Sequence, residues 1–401
     1  FYCTTKIRAG QYIDKTFSLR YHKNMMKIAI IGGGAAGMAC AVLLARRNMR
    51  VELFERGDRL GRKLSATGNG QGNVTNTHVA PQYYFSDDGE KVARVLAHFS
   101  CGDAVRFLED MGGIFLPDAR GRVYPAGRQA SAVTDLFRRE IARLGVIVHT
   151  GTRIARLSHD GRSFRLAWEG GAAEADCVVL AAGGRAAPNF GTDGSAYALA
   201  QAYGHTVTAL SPVLVQLRTD PAAVRGLKGI RVDAGVKVLR GGRERYACRG
   251  DVLFTESGIS GDAVFRASSY AEKGDTVLID FLPDVPPDRL AASVGAGEDG
   301  LLCVVNNGLG RQLFRREAGD RARVLALLKA FPLAVTGTLG FDYAQATRGG
   351  IPLSETDGAL MSVFRRGLYF AGEILNVDGA CGGFNLHWAW ASAHHICEAI
   401  R

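Results

Sequence analysis

Short apolar runs that stop at glycines alternate along the chain with stretches of helical period. Lys27-Ile28-Ala29-Ile30-Ile31 is apolar throughout and ends at Gly32, as expected of a strand covered on both faces of a sheet. Residues Ala35 to Arg47 follow with a helical pattern that turns Ala39, Val42, Leu43 and Leu44 largely inward and ends on two arginines. Arg50 to Glu55 is the next strand. Strand, helix and strand form a β-α-β unit, whose crossover is right-handed and builds a parallel sheet.

Helical patterns continue over Glu90 to Met111 and Gln129 to Leu144, with a buried strand expected at Val146 to Val148. Thr152 to Leu157, Ser163 to Trp168 and the stretch from Glu174 alternate apolar and polar residues, which predicts a small antiparallel meander. Asp176 to Ala182 closes it as a buried strand ending on Gly183-Gly184. From about Thr206 short strands dominate (Val213 to Arg218, Ile230 to Leu239, Thr276 to Phe281), followed by helical patterns from Pro287 to Lys329. A buried strand returns at Gly367 to Ala371, ahead of a terminal helix to Ile400.

This order predicts an α/β protein: a Rossmann-type domain of parallel sheet plus meander, carrying an inserted β-rich and helical domain. Expected boundaries are 1-24, a disordered leader before a start at Met25 or Met26; 25-205, the first segment of the nucleotide domain; 206-335, the insert; and 336-401, its C-terminal segment. A chain of 401 residues exceeds one compact core, which agrees with two domains.

Composition changes little in this picture. The net charge of +10 invites a nucleic-acid partner, but five of the basic residues (Lys6, Arg8, Lys15, Arg20 and Lys23) fall in the first 24 positions and the rest are dispersed. A solvated basic face, or attraction of an anionic cofactor, is expected, with no nucleic-acid partner. Eight cysteines form no C-x-x-C pair, so zinc ribbon and thioredoxin chemistry are not expected, and the cytoplasm is. No apolar run reaches membrane-spanning length.

The loop between the first strand and helix carries the chemistry. In Gly32-x-Gly34-x-x-Gly37 the first glycine permits the turn, the second admits a pyrophosphate against the backbone, and the third lets helix and strand pack closely. The adjoining residues Ala35 and Ala36 open a helix whose free N–H groups attract phosphate. Glu55 ends the second strand, placed to accept ribose hydroxyls. The following stretch, from Gly61-Arg62-Lys63 through a Gly/Asn/Thr loop to Asn76, is long enough to wrap an extended ligand, which points to FAD rather than NAD.

These residues, together with GRVYP (Gly121 to Pro125), LAAGG (Leu180 to Gly184), GTDGSAYALAQAYGH (Gly191 to His205), FTESGISG (Phe254 to Gly261) and GLYFAGEILNVDGACGGFNLHWAWASA (Gly367 to Ala393), resemble the HI0933-like (YhiN/BaiN-like) NAD(P)/FAD-dependent oxidoreductases of bacteria. The resemblance implies that Gly32, Gly34, Ala35, Ala36 and Gly37 contact the FAD pyrophosphate. It places Glu55 at the adenosine ribose and Arg62 and Lys63 along the nucleotide half, with Arg56 and Gly61 also among the cofactor-binding residues. Asn73 and Thr75 would lie nearer the ribityl chain and isoalloxazine, Ile154 at the adenine, and Ala182 and Gly183 at a second turn beside the nucleotide. Gly372 and Glu373 would flank the ribityl or pyrophosphate, with Gly382, Gly383, Phe384 and Asn385 facing the flavin. NAD(P)H is implied as a transient electron donor, with hydride passing to a small organic acceptor such as an enone C=C bond.

One departure stands out. The family commonly has Arg-Cys-Asn where this chain has Gln71-Gly72-Asn73, so a thiol role at that position is not expected. No second G-x-G-x-x-G follows a strand, and no triad or metal-ligand cluster competes with the flavin reading. Alternatives are an FAD-dependent enzyme that modifies nucleic acid, such as tRNA, and a non-catalytic flavin-binding redox sensor. Candidates for the chemistry are sparse. His387 is an acid/base candidate; Arg120, Arg122 and Tyr124 fit either an anionic substrate or solvent. Glu256 and Ser257 fit either the cleft or a helix cap at Ser260, and Cys381 either a packed or a redox thiol. The sequence does not indicate an oligomeric state.

Overall fold

The computed structural model describes residues 25–295 and 298–401; the expected leader, 1-24, lies outside them. A five-stranded parallel sheet organises the larger unit. Its strands run, edge to edge, Leu368–Phe370, Cys177–Leu180, Lys27–Ile31, Arg50–Phe54 and Ile147–His149. Ile28 and Ile30 are wholly buried at its centre, and each such side chain contributes roughly 1.5–3 kcal/mol relative to exposure. The helix Ala35–Arg46 packs on the sheet and against the C-terminal helix Phe384–Ala399. The last strand and last helix therefore complete a domain that the first strand begins.

Several elements differ from the pattern-based reading. The expected strand at Val146 to Val148 forms over Ile147–His149 but is the outer edge of the sheet, with Ile147 and Val148 exposed. The pattern from Glu90 to Met111 is two helices, Gly89–Ala97 and Cys101–Glu109. Ser100 breaks it: its hydroxyl accepts the Asp103 amide while the Asp103 carboxylate accepts the Ser100 amide, a capping box that starts a new helix. The meander is Arg156–His159, Phe164–Trp168 and Gly171–Ala175, so Thr152 to Ile154 precede it as loop.

The insert is a closed six-stranded barrel: Leu217–Thr219, Gly258–Ser260, Arg243–Phe254, Arg231–Arg240, Thr276–Asp280 and Phe331–Thr338, in that order around the ring. Closure leaves no strand edge unpaired. Its longest strand, Arg243–Phe254, was not anticipated. Gly241 and Gly242, both at positive φ, make the two-residue turn that joins it to Arg231–Arg240. The helices Asn307–Arg316 and Arg321–Lys329 cover the barrel, whose hydrophobic core is separate from that of the sheet domain. Phe331–Thr338 crosses the expected boundary between 335 and 336.

Candidate functional site

The glycine loop is shaped by three different constraints. Gly32 has φ of +111°, and a Cβ there would meet the Ala181 carbonyl oxygen at 2.5 Å. A Cβ on Gly37 would lie 1.8 Å from the Gly32 carbonyl oxygen. Both glycines are demanded by the protein's own packing. Gly34 is different: its φ is −80° and nothing lies within 4 Å of a Cβ built on it. The fold does not need glycine at 34, whereas a ligand pressed against the backbone does.

That open side of Gly34 faces a cavity that runs along the glycine loop. Its lining gathers Gly32, Gly34, Ala35, Ala36, Glu55, Arg56, Gly61, Arg62, Lys63, Ile154, Ala182, Gly183, Gly372, Glu373 and Asn385, from segments spread over the whole domain. No side chain caps the helix that starts at Ala35, so its first-turn N–H groups are free for an anion. Five basic residues (Arg56, Arg59, Arg62, Lys63 and Arg153) and three acidic ones line the space.

Glu55 is held in place by two backbone amides. Its Oε2 accepts from Gly33 at 2.8 Å and its Oε1 from Gly57 at 2.6 Å, leaving lone pairs for hydroxyl donors. Arg56 pairs with Asp193 at 2.6 Å. Burial opposes ionisation of Asp193, but the Arg56 guanidinium and the Ser195 amide outweigh it and hold the carboxyl below its ordinary range. Lys63 Nζ lies 2.7 Å from Glu373 Oε2, and Glu373 Oε1 accepts the Thr347 amide at 2.9 Å. Arg62 donates to the Asn189 carbonyl at 3.0 Å. The glycine cradle, the oriented Glu55 carboxylate and the basic lining fit a dinucleotide of FAD type.

Other expected site residues lie elsewhere. Gly37 packs helix to strand. Asn73 is buried, its amide donating to the Thr75 and Val123 carbonyls. Thr75 is wholly buried and hydrogen-bonds His387 Nδ1 at 2.8 Å. His387 is the main correction. It is 0% exposed, and its second nitrogen donates to the Phe99 carbonyl at 3.0 Å. With Nε2 the donor, Nδ1 accepts from the Thr75 hydroxyl, so the ring is neutral and has no position free for a substrate proton. Burial pushes its pKa down to about 4, against the opposing pull of the Phe99 carbonyl. His387 is a structural residue here, and the acid/base expectation fails.

Gly382, Gly383 and Phe384 turn the chain between two cavities. Gly383, at φ of +99°, precedes the C-terminal helix, which again has no side-chain cap. Asn385, one residue into that helix, lines the first cavity and ties back to Gly379 through both ends of its amide. Phe384 lines a second cavity, of about 440 Å³, between the barrel and the sheet domain. Tyr246, Arg249, Arg266 and Tyr270 reach this cavity from the insert, and Phe85, Arg122 and Cys381 from the sheet domain. Sequence reasoning missed the four insert residues, which only barrel closure brings together.

The remaining candidates resolve individually. Arg120 and Arg122 line the second cavity, but each has an acidic partner, Asp262 at 3.4 Å and Asp118 at 2.7 Å. Tyr124 is buried beneath the Arg128 guanidinium, 4.0 Å from its ring. Glu256 is exposed and pairs with Lys228. The helix Asp262–Ser268 is preceded by Gly261 as its N-terminal cap residue, not by Ser260. Cys381 is packed beside Asp262, and burial pushes its thiol up to about 12. Trp388 donates to the Gly372 carbonyl and flanks the first cavity, whereas Trp390 donates to the Val74 carbonyl and stacks on Phe137.

A family model described as the HI0933-like protein Rossmann domain matches residues 26–399. A 3-dehydro-bile acid delta(4,6)-reductase from Clostridium scindens is 33% identical over 400 residues, covering 92% of this chain and 98% of the relative. A ribosomal RNA dihydrouridine synthase from Escherichia coli is 29% identical over 385 residues, covering 91% and 95%. Among solved structures, a 3-ketosteroid-Δ4-(5α)-dehydrogenase from Rhodococcus jostii has the same fold, with a TM-score of 0.51, 17% identity and coverage of 94% and 98%.

Proposed function

The chain belongs to the HI0933-like family of flavoprotein oxidoreductases, and from that premise we propose that it is a reductase. It takes electrons from NAD(P)H through FAD and saturates a C=C bond conjugated to a carbonyl in a small organic acceptor. The observation that carries the proposal is the adjacency of two cavities across one chain turn. Asn385 faces the glycine-cradled space and Phe384 the space beneath the barrel. One cavity has the polar cradle of a dinucleotide, the other the aromatic wall of an organic acceptor.

Gly32, Gly34, Glu55, Lys63 and Glu373 would hold FAD, which would supply hydride chemistry when bound. The protein's own share is orientation and charge. The uncapped N-terminus of the helix Phe384–Ala399 favours negative charge at the turn between the cavities. The names of both relatives support the reading. One is named as a 3-dehydro-bile acid delta(4,6)-reductase and the other as a ribosomal RNA dihydrouridine synthase, both names for the reduction of an unsaturated organic substrate. The seven described cysteines are all free, in keeping with a cytoplasmic location.

A second reading, modification of RNA, is favoured by the dihydrouridine synthase relatives and the net charge of +10. Against it, Arg249 at the second cavity is already neutralised by Asp233 and Asp284, as are Arg120 and Arg122 by their partners. The deciding experiment is anaerobic reduction of the reconstituted protein by NADH and NADPH, then reoxidation by a panel of enones, quinones and uridine-containing RNA. Reoxidation by enones, independent of salt, supports the small-molecule reading. Steeply salt-dependent reoxidation by RNA alone would replace it. Glu55→Ala is expected to weaken FAD binding by about 1–3 kcal/mol.

A further inference from the structure

Among the described residues, six buried side-chain nitrogen or oxygen atoms have no hydrogen-bond partner; two of them, Arg266 Nε and Ser269 Oγ, belong to residues that line the second cavity. Three positions apart, at and just beyond the end of the helix Asp262–Ser268, they share one side of it. Arg266 is already fixed. Its Nη2 donates to Asp262 at 2.9 Å and to the Arg249 carbonyl at 2.6 Å, which sets the guanidinium plane and leaves Nε over. Ser269 is 6% exposed; its carbonyl accepts from Arg348 at 2.7 Å, but its hydroxyl has no partner. Buried donors of this kind are rare in native proteins unless something uses them.

The rest of the cavity describes what would use them. Tyr246 and Tyr270 stack with centroids 4.1 Å apart and planes 8° from parallel, and Phe85 meets Tyr270 edge-on at 5.2 Å. This is an aromatic wall for a flat body with a polar donor pair beside it. We infer that Arg266 Nε and Ser269 Oγ form the pocket for the carbonyl oxygen of the acceptor, placed to hold that oxygen as it gains negative charge. The inference rests on the reductase reading, because it identifies the second cavity as the acceptor site. Fixed donors aimed at a developing oxyanion stabilise it without reorganising.

The test compares two probes on one nitrophenyl frame with the FAD-loaded protein: 4-nitrophenolate, with an anionic oxygen, and 4-nitroanisole, in which a methyl group caps that oxygen; the wild-type preference is read against the variants, which leave the methyl group's fit in common. Binding is followed by the probes' own absorbance. The wild type is expected to prefer the phenolate. Ser269→Ala and Arg266→Gln are each expected to reduce that preference about tenfold, with Ser269→Thr restoring part of it. Ser269→Ala removes one atom from an unpaired position and keeps the test decisive even if Arg266→Gln folds poorly. A wild type without phenolate preference, or a Ser269→Ala variant that retains it in full, overturns the inference. FAD content and reduction by NAD(P)H, measured on the same samples, report separately on the reductase reading.

Discussion

Lys63 and Glu373, 310 positions apart in the chain, meet at 2.7 Å on the wall of the first cavity. The pair joins the segment after the glycine loop to the returning C-terminal segment. Glu373 also accepts the Thr347 amide, so Glu373→Ala releases two donors at once. We expect a loss of about 1–3 kcal/mol in unfolding free energy of the apoprotein, together with weaker FAD binding. Lys63→Met, which leaves the Thr347 bond intact, is expected to destabilise less. Chemical denaturation of both variants checks the order.

Gly34 and Gly37 offer a contrast between ligand and fold. Gly34→Ala adds a methyl where the protein has open space, so thermal unfolding of the apoprotein is expected to stay near wild type while FAD affinity falls at least about tenfold. Gly37→Ala drives a methyl into the Gly32 carbonyl and is expected to lower stability by several kcal/mol on the scale of overpacked sites. A Gly34→Ala protein that binds FAD like wild type would contradict the position assigned to the pyrophosphate.

The neutral, buried His387 predicts acid sensitivity. Its pKa in the folded protein is depressed to about 4 from an ordinary 6.5, so the unfolded chain takes up the proton first as pH falls. Stability from this group is therefore complete above about 6.5 and drains away between there and about 4, by up to about 3 kcal/mol. His205, also depressed by burial despite its bond to Glu355, acts in the same direction. His387→Gln is expected to flatten its share of the profile, measured as unfolding free energy against pH. The pH dependence of turnover is expected to keep its shape.

Thiol chemistry separates two cysteines. Cys303 is exposed and Cys381 sits in the wall of the second cavity with its thiol pushed up to about 12. Mass-mapped alkylation of the native protein at neutral pH is expected to label Cys303 within minutes and leave Cys381 unmodified. Rapid labelling of Cys381 would mean that its thiolate is stabilised in a way the packing does not provide.

What could be read from residues alone follows from distance along the chain. Gly32, Gly34, Gly37 and Glu55 lie within one β-α-β unit, where local backbone rules decide both conformation and chemistry. Their positions emerged without tertiary knowledge. The strand Arg243–Phe254 was missed because charges fill its outward positions, although Gly241-Gly242 between two alternating runs is a hairpin signal. His387 was misplaced for a different reason. The sequence marks a terminal helix, but not which neighbours, here Thr75 and Phe99, wait beside His387. The second cavity was invisible because Tyr270, Arg122 and Phe384 come together only when the barrel docks.

The strand order has a consequence for how the protein is made. The strand Cys177–Leu180 lies between the first strand and Leu368–Phe370, and the helix that covers Ala35–Arg46 is the last in the chain. A ribosome delivers every barrel strand before either of these pieces. The insert can thus close its ring while its host still lacks a sheet edge and a covering helix. During that interval the exposed apolar face of Ala35–Arg46 is the surface a chaperone would meet, and the first cavity still lacks the wall that Gly372, Glu373 and Asn385 provide.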